Sequence, residues 1–359
     1  MRTIFWDDEK CCITAIDQTA LPSKSVLLDI YDMSTLHDAI FALRVRGAPA
    51  LGAAGGFGVA LLAHNIKASD LDVFVEILRD GAESLKKVRP TAVNLSWGVE
   101  RVFSKCICGR DIDEIKQLAI KEANVLADED VAQCKAIGAF GSDFLKDGDR
   151  VLTHCNAGRL ACVDWGTALG VVRSAVVNGK HISVIACETR PLNQGSRITC
   201  WELMEDKIPV TLITDSMAGY VMRKGLVDKV IVGADRIVED AIYNKIGTYS
   251  LSVLAKEHGI PFYVAAPLST FDFSHREHGV VIEERDPEEL RNWNGAQIAP
   301  RDVPALNPAF DETPMENVTA IITERGIIKP PVSFESLRKK FMTPTDICLR
   351  AGEQHGLSL

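Results

Sequence analysis

Six short runs rich in β-branched residues recur between residues 150 and 323, and they restrict the possible folds more than any other feature. The runs are Arg150–His154, Ile182–Ala186, Val210–Thr214, Lys229–Val232, Phe262–Ala265 and Ala320–Thr323. Segments with helical spacing lie between them, at Gly166–Val177, Ser196–Glu205, Ser216–Lys224 and Thr248–His258. Alternating strands and helices with short connections predict an α/β fold with a doubly wound, mostly parallel sheet of about six strands.

Polar or reactive residues follow most of these runs, at the point where each strand is predicted to end. Cys155 follows the first run, Glu188 the second, Asp215 the third, Asp235 the fourth and Glu324 the last. Helix caps explain one or two such residues, since Asp is a favoured N-cap. Open α/β sheets bind ligands outside the carboxyl ends of their strands, so the pattern predicts a site at this edge.

The first part of the chain has a different, mixed pattern. Strands are predicted at Thr3–Trp6 and Cys12–Ile16, and helices at Leu36–Leu43, Leu51–Ala63, Leu71–Lys86 and Asp111–Leu126. Single hydrophobic cores rarely exceed about 250–300 residues, so two domains are expected. We predict a small α+β domain over residues 1–125 and a larger catalytic domain with a C-terminal extension over residues 126–359.

Composition excludes several classes of protein. The net charge of −9 argues against general nucleic-acid binding, which needs a basic surface. The longest uncharged stretch, Gly47 to Asn65, is rich in glycine and predicts a buried helix rather than a membrane span. The ten cysteines lack C-x-x-C spacing, and acidic Asp7, Asp8 and Glu9 stand where a signal peptide would be apolar. We therefore expect a cytoplasmic protein with free thiols.

Cofactor motifs are missing from the sequence. No G-x-G-x-x-G follows a predicted strand, no G-x-x-x-x-G-K-[ST] is present, and the eight histidines are scattered. The predicted sheet is thus expected to work without a nucleotide or a metal.

Two residues at strand ends are candidates for acid–base chemistry. Cys155 can be activated as a thiolate by a helix start and by the nearby Arg159, or it can be a small buried apolar residue. Asp235 can act as a general acid if an apolar cleft raises its pKa. Its alternatives are a helix cap and an ion pair with Arg236.

Several other segments are suited to binding an anion. Arg46, Gly47 and Ala48 stand where a helix is predicted to begin, so an arginine fork and backbone N–H groups can hold a phosphate there. Asn244 and Lys245 precede another predicted helix. Solvated surface residues are the alternative in each case. Several anion donors beside few acid–base groups suggest a phosphorylated small substrate and a proton or hydride rearrangement.

At these residues the sequence resembles the 5-methylthioribose-1-phosphate isomerase family. The resemblance runs in order from about residue 40 to residue 328. It is carried by RGAPALG (Arg46–Gly52), RPTAVNLSW (Arg89–Trp97), HCNAG (His154–Gly158), ETRPLNQGSR (Glu188–Arg197), ITDSMAG (Ile213–Gly219), GADR (Gly233–Arg236), the long segment Asn244–Asp272, NPAFDETP (Asn307–Pro314) and ITERGII (Ile322–Ile328).

The resemblance implies a Rossmann-like C-terminal domain, a homodimer, and a role in methionine salvage without metal or nucleotide cofactor. It implies that Cys155 and Asp235 are catalytic. It further implies that the sugar phosphate is bound by Arg46, Gly47, Ala48, Arg89, Gln194, Asn244 and Lys245. Asp235 is then the hypothetical acid that helps the ring oxygen leave. Cys155 is either the base that moves the C2 proton or the group that manages the O2 proton during a hydride shift.

Two alternatives remain at this point. The segment Ile237–Tyr243 lacks the glycine that the family usually has there, so 5-deoxyribose 1-phosphate and ribose 1,5-bisphosphate are alternative substrates. The same fold also serves regulatory subunits of the nucleotide exchange factor for translation initiation, which are binding proteins rather than enzymes.

Overall fold

The computed structural model describes residues 2–89, 92–273, 275, 279–293 and 295–341. Pro90 and Thr91 of the RPTAVNLSW motif, Cys348 and the chain after residue 341 lie outside this set.

A three-stranded antiparallel sheet and five helices form the first part of the chain. The strands pair in the order β1-β2-β3 and the helices follow them. Their bounds are β1 Ile4–Asp7, β2 Cys12–Ile16, β3 Leu27–Ile30, α1 Met33–Phe41, α2 Ala48–Asn65, α3 Leu71–Lys86, α4 Val93–Cys106 and α5 Ile112–Ser142. The uncharged stretch is the buried helix α2, as predicted, and it packs against α4 and α5.

Three features of this region differ from the sequence predictions. Neither β3 nor α4 is predicted, although Leu95, Val99, Val102 and Cys106 of α4 are buried at helical spacing. Helix α5 does not end near Leu126 but continues to Ser142. It therefore runs through the boundary proposed at residues 125 and 126, and the division into two domains stays a prediction.

The second part of the chain is organised around a seven-stranded sheet of order β15-β14-β10-β7-β4-β5-β6. Its strands are β4 Arg150–Thr153, β5 Ser183–Cys187, β6 Val210–Ile213, β7 Lys229–Val232, β10 Phe262–Ala265, β14 Ala320–Thr323 and β15 Gly326–Ile328. All six predicted runs form parallel strands, while β15 adds an antiparallel edge to β14. The α/β class and the mostly parallel, doubly wound sheet are confirmed.

Helices cover both faces of this sheet. The α-helices of this part of the chain are α6 Ala168–Val177, α7 Cys200–Glu205, α8 Ala218–Arg223, α9 Thr248–Glu257, α10 Glu288–Arg291 and α11 Phe334–Phe341. Successive strand residues enter different apolar cores: Leu152 and Val230 lie in one core, and Val151 and Ile231 in the other. Burial on both faces explains why the strands are nearly continuous apolar runs. Among the described helices, none combines the length and apolarity needed to cross a bilayer.

Short antiparallel pairs complete the fold. Strands β8 (Arg236–Ile237), β9 (Ala241–Lys245) and β13 (Phe310–Pro314) form a small sheet in the order β13-β9-β8, and β11 (Asn292–Trp293) pairs with β12 (Ala296–Gln297). The divergent segment Ile237–Tyr243 is thus the hairpin that joins β8 to β9. This small sheet, which is not predicted, places Asn244 opposite Asp311 and Lys245 opposite Phe310.

Candidate active site

A crevice opens between β4 and β7, which are neighbours in the sheet although two strands separate them in sequence. Connections from these two strands leave in opposite directions along the sheet, and such a switch point is where open α/β sheets bind ligands. A cavity of about 100 Å³ lies there. Its lining includes all nine predicted site residues: Arg46, Gly47, Ala48, Arg89, Cys155, Gln194, Asp235, Asn244 and Lys245.

Cys155 follows β4 in a strained backbone conformation, with φ of +61°. Two buried threonines hold this conformation. The Cys155 N–H donates to Thr189 Oγ1 at 2.8 Å, and its carbonyl accepts from Thr199 Oγ1 at 2.6 Å. A non-glycine residue in the left-handed region costs about 1–3 kcal/mol, and such strain is concentrated at functional sites. The surrounding structure thus fixes where the thiol enters the cavity.

Burial raises the pKa of the Cys155 thiol, although the positive charges of Arg46 and Lys245 oppose this shift. The Cys155 thiol is therefore less readily ionised than a solvated cysteine. The predicted activation by Arg159 is wrong, because the Arg159 guanidinium binds Asp206 at 3.1 Å. No α-helix begins directly after Cys155 either, since α6 starts at Ala168.

Asp235 follows β7 and lies in the same cavity. Its N–H donates to the Tyr243 carbonyl at 2.9 Å, and β8 rather than a helix follows it, so it is not a helix cap. The alternative ion pair with Arg236 is not formed, since Arg236 instead lies 3.2 Å from the Asp272 carboxylate. Asp235 is accessible to solvent within the cavity, yet desolvation by the surrounding protein raises its pKa, and Lys245, Arg46 and Arg89 limit the rise. The carboxyl thus keeps a proton more readily than a solvated aspartate.

Lys245 lies at the end of β9, with its ammonium 4.8 Å from the centre of the Phe310 ring. The same ammonium donates to the Ala309 carbonyl at 2.9 Å. Burial lowers the pKa of Lys245, while Cys155 and Asp235 favour its charged form. Its charge therefore acts on both candidate catalytic groups.

The helix that follows Lys245 is not an anion site, contrary to the sequence interpretation. The carboxylate of Asp311 accepts hydrogen bonds from the N–H groups of Gly247 (2.7 Å) and Tyr249 (3.1 Å), and so occupies the N-terminus of α9. Burial raises the pKa of Asp311 to about 6.

Arg46 and Gln194 supply polar groups from two other sides. The guanidinium of Arg46 is buried and donates to the carbonyl and to Oδ1 of Asn156, at 2.8 and 2.9 Å. Gln194 Oε1 is buried and, among the described residues, has no hydrogen-bond partner. A buried amide oxygen without a partner is costly, so this acceptor is suited to a hydroxyl of a bound ligand.

Comparisons with known proteins agree with this geometry. Residues 44–330 match the initiation factor 2 subunit family. A methylthioribose-1-phosphate isomerase from Acetivibrio thermocellus is 50% identical over 328 residues, which cover 90% of this chain and 96% of that protein. The chain belongs to the methylthioribose-1-phosphate isomerase family, within the initiation factor 2 subunit family.

Two solved structures of this family are similar along nearly the whole chain. A 5-methylthioribose 1-phosphate isomerase from Pyrococcus horikoshii has a TM-score of 0.88 and 44% identity, and the match covers 95% of each chain. A structure titled translation initiation factor eIF-2B, subunit delta, from A. fulgidus has a TM-score of 0.86 and 59% identity, covering 94% of this chain and 98% of that one.

Sequence reasoning missed some residues that face the cavity. His154 lines it, with Nε2 2.8 Å from the Ile246 carbonyl oxygen. Arg285 also lines it, paired with Glu283 at 3.0 Å and with Glu289 at 2.5 Å. His154 stands inside the HCNAG motif but was given no role, and Arg285 lies in a run of charges that is typical of a solvated loop.

Polar residues that follow other strands stabilise loops. Asp215 accepts from the N–H groups of Thr189 (2.8 Å) and Arg190 (2.7 Å), and Glu324 accepts from that of Leu268 (2.9 Å). Of the five polar strand ends predicted from the sequence, those after β4 and β7 supply the cavity with its candidate catalytic groups.

Two groups of possible metal ligands occur among the described residues, each with its ligand atoms within 4.8 Å of one another. They are Asp130, Cys134 and Cys162, and His154, Cys187 and Asp215. In both, the carboxylate already accepts backbone N–H bonds, as from Val163 to Asp130 at 2.7 Å. The expectation that this member of the isomerase family needs no metal stays a prediction.

Gly47 is the N-cap residue just before α2 and is expected not to tolerate a side chain. Its φ is +97°, and an added Cβ would lie 2.4 Å from Cα of Ala161. Gly47→Ala should lower the free energy of unfolding by about 2–5 kcal/mol, through backbone strain and overpacking, and should reduce activity. Urea unfolding of the two proteins measures this.

Gly148→Ala is the matched control, because Gly148 has a φ of +85° but no atom within 4 Å of an added Cβ. It should cost only about 1 kcal/mol of backbone strain. Equal losses in the two variants would show that the contact between Gly47 and Ala161 is unimportant.

Proposed function

We propose that this chain is an isomerase that converts 5-methylthioribose 1-phosphate into 5-methylthioribulose 1-phosphate, a step of methionine salvage. The observation that carries this proposal is the meeting of Cys155 and Asp235 in one cavity, with the charges of Arg46 and Lys245 acting on both. Anion-binding groups beside two proton-carrying groups suit a sugar phosphate that must exchange protons.

The reaction begins with ring opening. The anomeric oxygen is esterified, so the ring oxygen must leave C1 as the C1–O4 bond breaks. Asp235, whose pKa is raised above that of a solvated aspartate, is the group that donates a proton to O4. The phosphate is bound by Arg46 with the backbone of Gly47 and Ala48, and by Lys245.

Hydrogen then moves from C2 to C1, and the O2 proton is lost to give the ketone. In both routes Cys155 acts as its thiolate, the form that the charges of Arg46 and Lys245 favour against burial. If the hydrogen moves as a proton, this thiolate removes it from C2 and returns it to C1. If the hydrogen moves as a hydride to the electron-poor C1, Cys155 instead accepts the proton that O2 loses. In both routes the proton given to O4 balances the proton lost from O2.

A second cavity of about 80 Å³ supports a methylthio group at C5. It shares Arg89 and Asp235 with the first cavity, and apolar side chains of Leu51, Val93 and Ile282 line it. Burying an apolar substituent there is favourable by about 25 cal/mol per Å². Arg236 also lines this cavity, so a substituent at C5 meets both apolar and cationic side chains there.

We further propose that the protein is a homodimer and that it works in the cytoplasm. Leu212 on the edge strand β6, with Met217 and Tyr220 just after it, are about half exposed. Apolar residues grouped at a sheet edge suit a contact with a second copy. The nine described cysteines are free thiols, which suit a reducing compartment.

A regulatory binding protein of translation initiation is the second candidate, since a 59% identical structure carries that title. Cys155 and Asp235 would then have no chemical task. The strained backbone of Cys155 and the raised pKa of Asp235 favour the enzyme.

Incubation of the purified protein with 5-methylthioribose 1-phosphate, followed by phosphorus NMR, tests the proposal. Ketose 1-phosphate should form, and faster than from 5-deoxyribose 1-phosphate or ribose 1,5-bisphosphate in parallel samples. Faster conversion of another sugar would correct the substrate but keep the mechanism. No turnover of any of the three would favour the binding protein.

A further inference from the structure

A buried chain of hydrogen bonds leads from the cavity to a carboxylate that has no place in the mechanism above. The side chain of Asn156, next to Cys155, is its middle member. Asn156 Oδ1 accepts from Arg46 at 2.9 Å, and Asn156 Nδ2 donates to Glu202 Oε1 at 3.0 Å. Glu202 lies on α7 and is fully buried.

Glu202 also holds the backbone that follows Asn156. Its carboxylate accepts from the N–H groups of Arg159 at 2.9 Å and Leu160 at 3.0 Å. A Cβ on Gly158 would lie 2.2 Å from Glu202 Oε2, so only glycine permits this approach. The loop after β4 is therefore built around the carboxylate.

The negative charge of Glu202 is balanced by Arg173, which does not line the cavity. Arg173 donates to Glu202 Oε2 at 2.8 Å and to Asp206 Oδ2 at 2.7 Å. A buried carboxylate with a paired cation and several donors keeps its charge. It is then an acceptor only, whereas a glutamine at this position could turn either end of its amide toward Asn156.

We propose that Glu202 is a positioning residue that fixes the Arg46 guanidinium for the substrate phosphate, acting through the side chain of Asn156. Because the Glu202 carboxylate can only accept, Asn156 must present Nδ2 to it and Oδ1 to Arg46. If the Asn156 amide turned over, its NH₂ group would face the guanidinium, and two donors would oppose each other. This inference rests on the proposed function, since it takes Arg46 to be a substrate contact.

Glu202→Gln tests the inference, with Asp206→Asn as the matched control. The control removes the other carboxylate on Arg173 without touching Asn156. Both variants should melt at lower temperature. Only Glu202→Gln should raise KM for 5-methylthioribose 1-phosphate, by roughly 10- to 100-fold, with kcat changed less than about threefold.

A double-mutant cycle distinguishes positioning from general damage. In an Arg46→Met background, Glu202→Gln should change kcat/KM by less than about threefold, because the group it positions is already absent. An undiminished effect there, or an equal KM increase in Asp206→Asn, would overturn the inference.

If Glu202→Gln does not fold, Asn156→Ser serves the same purpose, since it removes the link but leaves Glu202 paired with Arg173. An unchanged KM in that variant would also overturn the inference. Wild-type turnover is measured first, so its absence would count against the proposed function rather than against the role of Glu202.

Discussion

Asp235→Asn is expected to reduce kcat by about 10²- to 10⁴-fold while substrate binding changes little. Asparagine has the shape of aspartic acid and keeps the backbone bond to Tyr243, but it has no proton to give to the ring oxygen. Phosphorus NMR measures turnover, and isothermal titration calorimetry measures binding of the same sugar phosphate. Near-normal turnover would exclude Asp235 as the acid.

The pH dependence of the wild type gives a second test of this role. Desolvation raises the pKa of Asp235, so its protonated form persists above the pH at which a solvated aspartate is ionised. A general acid is active only while protonated. kcat/KM should therefore fall as pH rises through this raised pKa, and Asp235→Asn should lack that step.

Asp228→Asn is the control for the loss of a carboxylate close to the same strand, β7. Asp228 lies just before β7 and binds Arg150 at 2.9 Å, at the opposite end of the strand from Asp235. Loss of this half-exposed ion pair should cost at most about 1 kcal/mol of stability. Reduced turnover in this variant would mean that any carboxylate on the strand matters, which the mechanism does not allow.

Cys155→Ala is the second large effect, with an expected fall in kcat of about 10²- to 10⁴-fold. Both routes for hydrogen transfer need the thiol, either at C2 or at O2. Cys200→Ala is the control, because Cys200 is a half-buried thiol at the start of α7, outside the cavity lining. Activity in Cys155→Ala within tenfold of the wild type would remove the thiol from the mechanism.

Alkylation with iodoacetamide reports the ionisation of Cys155 directly. The thiolate is the reacting form, and burial raises the pKa of this thiol. Inactivation of the empty enzyme should thus be slow at pH 7 and should accelerate as pH rises toward the raised pKa. Saturating substrate should protect. Rapid alkylation at pH 7 would show that Arg46 and Lys245 outweigh burial.

The parallel strands were predictable because the central ones, such as β4 and β5, are buried on both faces and so form continuous apolar runs. Strands β8, β9 and β13 were not predicted. Strand β8 has only two residues, and the pairing of β9 with β13 joins segments about 70 residues apart, as between Ile242 and Thr313. Such contacts leave no local period in the sequence. The unpredicted sheet nevertheless places Asn244 and Lys245 in the cavity.

The sequence by itself determined which chemical groups the site contains. Its resemblance to the isomerase family predicted Cys155 and Asp235 as catalytic residues and seven others as substrate contacts, and the structure brings all nine to one cavity. Local sequence misjudged their surroundings, however, because it assigned Arg159 to the thiol and a helix N-terminus to Lys245. Sequence proximity does not fix distance, and Arg159 in fact binds Asp206.

Only the tertiary structure decided the protonation and the orientation of these groups. Desolvation raises the pKa values of Cys155 and Asp235, and desolvation depends on chain segments far away in sequence. The orientation of Arg46 likewise depends on Asn156, 110 residues later, and through it on Glu202. A residue's type fixes the reactions available to it, whereas desolvation and hydrogen-bond partners, which the fold supplies, select among them.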